Sequence, residues 1–193
     1  MKIQFIQSKD LMLTTHAGLA TVGSLLQHTN LMKRLNRTTI KECKNPYHSH
    51  TDVMKSYLGL LCQGKSDFDH IEPFRKDDVF PICMQVNQVP SSPTLRQRLD
   101  AAAACETANW NSILLEESAA LLKKIHAPLT GFTVGERCCI PLDIDVSPFD
   151  NSGTKKEGVK RTYQGTDGFA PIFAYLGREG YGINVQLREG SVH

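Results

Sequence analysis

The sequence predicts an α+β chain: an all-helical region over residues 1–130, followed by a strand-forming region over residues 131–193. Three observations carry this. From about His16 to His126 the apolar residues recur at helical spacing; Pro128 and Gly131 then stop that pattern; beyond them the period becomes strand-like. A GREGY turn between Leu176 and Gly182 supplies the two glycines of a hairpin.

The first helix is expected to present Leu19, Val22, Leu25 and Leu26 on one face. Thr51 and Asp52 can open a second one with Val53, Tyr57, Leu60 and Leu61 inward and Gly64 as its stop. A short helix follows from Ser66, and Pro73 and Pro81 divide DFDHIEPFRKDDVF into short helices set at angles. In VPSSPTLRQRLD, Ser92 fits an N-cap and Pro93 the first helical position. A long amphipathic helix then continues through AAAACETANWNSILLEESAALLKK, with Trp110 buried. Three strands are the natural reading of the remainder: RCCIPLDIDVSPFDNS, GFAPIFAYLG and GYGINVQLREG, the last two paired antiparallel.

Composition narrows the function classes. With 193 residues, 40% apolar and 22% charged, the chain suits one or two small domains with real cores. No apolar run approaches the roughly 20 residues that span a bilayer, and MKIQFIQSKD lacks a signal peptide's apolar stretch, so a cytoplasmic protein without a membrane partner is expected. The six scattered cysteines read as free thiols; Cys43, His48 and His50 lie close in CKNPYHSH, without a second ligand pair at zinc-like spacing. Neither GxGxxG nor GxxxxGK occurs, and no nucleophile elbow surrounds Ser147. Net charge is +2, but residues 1–50 hold seven basic against two acidic side chains, which makes DNA one candidate partner for that segment and a solvated face the other reading.

Three segments could carry chemistry. A turn leading into a capped helix is how a helix-turn-helix reader begins, so the stretch near residues 90–104 could offer Thr94, Arg96, Gln97 and Arg98 to phosphates or base edges; an ordinary capped surface helix has the same signature. In CIPLDIDVSPFDN, Asp143 and Asp145 lie two apart and share one face of a strand, with Leu142, Ile144 and Val146 on the other. Such a pair suits a divalent cation, or, as is commoner for aspartates near strand ends, a solvated strand end or a cap onto the following loop. Beyond it, Lys155, Lys156, Lys160 and Arg161 face only Glu157 in a Gly-containing loop, which suits either a phosphodiester backbone or plain solvent.

Together the strings SYLGLLCQGKSDFDHIEPFR, VPSSPTLRQRLD, PLDIDVSPFDNSGTKKEGVKRTYQGTDGFAPIFAYLG and LREG, in this order, resemble the DDE transposases of bacterial insertion sequences, group-one branch. The resemblance covers nearly the whole chain. It implies a helical region holding transposon-end DNA, then an RNase H-like fold whose two Asp and one Glu bind two Mg2+ ions that drive in-line attack on phosphorus. Asp145, followed closely by a small hydroxyl residue, matches the first catalytic aspartate, with Asp143 second as a metal ligand. The implied partner is double-stranded DNA at terminal inverted repeats, held by a homo-oligomer. Asp167 and Glu179 do not match the other two carboxylates, so the sequence is expected to be C-terminally truncated, inactive alone and apolar-faced on IFAYL and INVQL. Three functions follow as alternatives: strand cleavage and joining, completed by a missing Asp and Glu; a non-catalytic DNA-binding remnant on transposon ends; or a product with no function of its own.

Overall fold

The computed structural model describes residues 14–40 and 47–192. The chain divides into two compact units, residues 1–117 and 118–193. Secondary structure changes further on, between the last helix and the first strand at Phe132.

The first unit is helical. Its α1 (Leu19–Gln27), α2 (Leu31–Leu35) and α3 (His50–Cys62) lead to a 3-10 helix (Phe68–Lys76), then α4 (Val79–Met84) and α5 (Ser92–Lys124). Two apolar clusters hold it together. Leu19, Val53, Leu60, Ile71, Phe74, Phe80, Met84, Val86 and Leu95 form one; Leu31, Leu35, Ile40, Met54, Ala102, Trp110 and Ile113 form the other. Trp110 is buried as expected, and its indole N–H donates to Thr38 Oγ1 at 2.9 Å.

Local chemistry explains where these helices begin and stop. Helix α3 starts one residue before the expected Thr51, because Ser49 caps it by accepting the Asp52 N–H at 3.0 Å. Gly64 at φ +69 ends it, with Lys65 N–H returning to the Leu60 carbonyl and Gly64 N–H to that of Leu61. Leu25 and Leu61, both expected inward, are exposed; Val22 and Leu26 pack inward, and the buried Gly23 lets α1 approach the Cys83 backbone. The α5 cap is Ser91 and not Ser92: Ser91 Oγ accepts Thr94 N–H at 3.4 Å, and Ser92 is already helical. His126, at φ +49, takes the left-handed position that closes α5, two residues ahead of Pro128.

The second unit contains the rest of α5 and, among the described residues, eight short strands, more than the three expected. Pro141 and Pro148 divide the first expected strand into β2 (Arg137–Cys139), β3 (Leu142–Val146) and β4 (Phe149–Asp150); β1 (Phe132–Val134) pairs with β2. The others are β5 (Lys160–Arg161), β6 (Asp167–Phe169), β7 (Ile172–Leu176) and β8 (Tyr181–Gln186). One sheet runs β3–β7–β8 and another β4–β6–β5, all antiparallel. The β7–β8 hairpin turns on Gly177 and Gly180, both at positive φ, as GREGY predicts. Tyr175, Val185 and Leu187 are exposed along IFAYL and INVQL, and so are Leu142 and Ile144 on β3.

The β4–β6–β5 sheet depends on glycines at close backbone approaches. A Cβ on Gly168 would overlap the Phe149 carbonyl oxygen, and one on Gly190 those of Lys160 and Gly168. Gly168→Ala and Gly190→Ala are each expected to cost about 1–3 kcal/mol by forcing backbone apart, measurable by urea unfolding; a transition unmoved in both would refute this packing. Among the described residues no helix is long and apolar enough to cross a membrane.

Candidate active site

Asp143 and Asp145 are exposed on β3. In the β3–β7 register Asp143 faces Tyr175 and Asp145 faces Phe173, so both carboxylates and both rings share one side of the sheet. The expected alternation therefore holds, but β3 carries these charges at no burial cost. Ser147 Oγ donates to Asp145 Oδ2 at 3.2 Å, fixing one carboxylate oxygen and leaving the other free to bind.

The β4–β6–β5 sheet borders this strand end. Phe149 lies 6.1 Å from Phe173 between ring centroids, Tyr163 Oη donates to the Val146 carbonyl at 3.3 Å, and Ser147 N–H donates to the Pro171 carbonyl at 3.1 Å. The four basic residues predicted from sequence are exposed on and beside β5 but are not equivalent. Lys160 pairs with Glu189 at 2.6 Å and Arg161 with Asp167 at 3.5 Å, while Lys155 and Lys156 have no ion pair among the described residues. Exposed pairs like these contribute little stability and can be exchanged for a phosphate. Asp167 lies in β6, and Glu179 in the hairpin, where it accepts from Thr130 N–H at 2.9 Å; its bonds with Thr130 hold its carboxyl below the usual range.

At the start of α5 the predicted contact residues separate. Arg96 and Gln97 are exposed, with the Arg96 guanidinium 5.2 Å above the Phe68 ring, and Thr94 is half-buried on Ser91. Arg98 is only 7% exposed, and its Nη2 lies 2.7 Å from His50 Nδ1, so it belongs to the helical packing. The helix N-terminus is also taken: Ser92 N–H donates to Glu72 at 2.8 Å and Ser92 Oγ to Asp69. Two carboxylates there occupy the partial positive charge that a phosphate would otherwise meet.

His50 has a consequence for stability. Burial first, and then the neighbouring Arg98 cation, push its pKa down, against raising contributions from a backbone hydrogen bond at Thr38 and, less, from Glu106. The unfolded chain therefore binds a proton more readily, and the helical unit should lose stability as pH falls through the histidine range. Urea unfolding across that range should show this loss, and His50→Gln should flatten it; an unchanged slope would exclude His50 as its source.

Of the sequence-derived basic surplus, Lys2, Lys9, Lys41 and Lys44 lie outside the described residues, as does Cys43. Arg34 is engaged by Glu116 and Glu117 at 2.6 and 3.1 Å, which leaves Lys33 and Arg37 exposed. Sequence reasoning missed the ring neighbours Phe149, Phe173 and Tyr163, and Glu189 as the partner of Lys160. The pairing of Glu189 has a visible cue only in LREG, whose Gly190 marks a tight backbone approach.

The transposase DDE domain group 1 family matches residues 6–193. The chain belongs to that family. No curated protein and no solved structure matches it.

Proposed function

We propose that this chain serves DNA transposition by metal-dependent strand cleavage and joining at transposon ends, with Asp145 as a catalytic carboxylate and Asp143 as a second metal ligand. The observation that carries the reading is their exposure on one sheet face, with Ser147 orienting Asp145. The antiparallel β3–β7–β8 sheet would then open an RNase H-like fold.

The donor set fits Mg2+, which accepts one or two carboxylates and completes its shell with waters and substrate phosphates. Asp143 and Asp145 offer two hard oxygen donors, their Cα atoms roughly 7 Å apart along the strand. Among the described residues no group of three His, Cys, Asp or Glu side chains is placed to hold a metal, so further family carboxylates would complete the centre. When bound, the ion supplies Lewis-acid activation of attack on phosphorus and stabilises the leaving oxygen. Ser147 holds the Asp145 oxygen in place, while Lys155, Lys156, Lys160 and Arg161 neutralise the approaching backbone. Thr94, Arg96 and Gln97 contact duplex DNA along α5; Arg98 supports them from within. The working form is a homo-oligomer on paired terminal repeats, in the cytoplasm.

A gel shift with terminal inverted-repeat duplex tests the DNA reading. Wild-type binding should weaken with salt, and Lys155→Ala with Lys156→Ala should reduce the salt slope by about one for each phosphate no longer neutralised. Absence of wild-type binding would overturn it.

A further inference from the structure

The Asp145 face carries more than carboxylates. Phe149, Phe173 and Tyr175 form a ladder of rings, with centroids 6.1 Å apart at each step and Phe173 and Tyr175 inclined by only 13°. Phe149 is 49% and Tyr175 39% exposed. Because Phe173 and Tyr175 are the cross-strand partners of Asp145 and Asp143, the rings stand directly beside the acidic pair.

We propose that this ladder is a stacking platform for unpaired nucleobases, positioning a DNA strand across Asp145. The proposal deepens the function proposed above and rests on its assignment of DNA to this face. An apolar protein segment laid over the rings would also cover Asp143 and Asp145 and desolvate two carboxylates that have no cationic partner among the described residues, which is costly. A nucleic-acid strand meets both features at once. Its bases present flat π faces to the rings, and its phosphates run toward Lys155 and Lys156, which have no ion pair among the described residues, on the loop that follows Phe149 in β4. Bases inside a duplex are already stacked on one another, so the platform selects a strand whose bases are open. Stacking of this kind tolerates sequence, since every base has a π face.

The test uses the full chain in EDTA with a short single-stranded oligonucleotide carrying a fluorescent adenine analogue, and the same sequence as a blunt duplex. Wild-type protein should quench the single strand, and Tyr175→Leu and Phe149→Leu, which keep apolar bulk but lose the π face, should each weaken single-strand binding about tenfold. Tyr175→Phe should restore it, and duplex affinity should be unchanged throughout. Single-strand binding by both Leu variants equal to wild type, or no quenching by the wild type, would overturn the proposal. Since EDTA removes divalent ions, failure of Asp145 as a metal ligand would leave the quenching intact. Failure of the ladder would likewise leave a metal titration of Asp145 intact.

Discussion

Phe80→Ala is expected to destabilise the helical unit by about 3–5 kcal/mol, a large part of what holds a domain of this size together. Phe80 is 1% exposed, and its ring stacks on Phe74 with centroids 4.6 Å apart at 27°. Gly59 also lies against the ring, and a Cβ there would come within 2.9 Å of it. Removing the ring therefore opens a cavity bounded by helix backbone that has little room to collapse. Ile82, in the same short helix, is 61% exposed, and Ile82→Ala should change stability by no more than about 0.5 kcal/mol. Trp110, the single tryptophan, sits in the second cluster of the same unit and reports its unfolding by fluorescence. If urea midpoints for Phe80→Ala and Ile82→Ala moved equally, the assignment of this core would fail.

What could be read from the sequence was what short-range chemistry determines. Gly64 as a helix stop, the division of DFDHIEPFRKDDVF into short helices and the GREGY hairpin each depend on residues close in the chain, and each is present, although the division falls at Asp77 and Asp78 while Pro73 and Pro81 lie inside the 3-10 helix and α4. The misreadings involve partners distant in sequence. Ser92 looks like a cap until Asp69 and Glu72 claim its hydroxyl and N–H, leaving Ser91 to cap α5. Arg98 reads as a surface cation three residues before Ala101, but His50, forty-eight residues earlier, draws it inside. The number of strands was underestimated because β4, β5 and β6 have only two or three residues each, too few to show a period. In the candidate site, the shared face of Asp143 and Asp145 was legible because strand alternation is local. The aromatic ladder was not, since it needs the β3–β7 register and the position of Phe149.

Asp145→Asn is expected to have the largest effect on function. It removes the negative charge and the free oxygen that a hard cation would use, while the amide oxygen can still accept the Ser147 hydroxyl, so the strand end keeps its shape. Asp143→Asn should have a smaller effect. Asp167→Asn should have none on metal binding, because that carboxylate sits in β6 paired with Arg161. The decisive measurement is a Mn2+ titration of the full chain with terminal-repeat DNA bound, followed by paramagnetic resonance. The account predicts that Asp145→Asn weakens Mn2+ binding by at least about tenfold, with Asp167→Asn like wild type. Equal Mn2+ affinity in wild type and Asp145→Asn would contradict it.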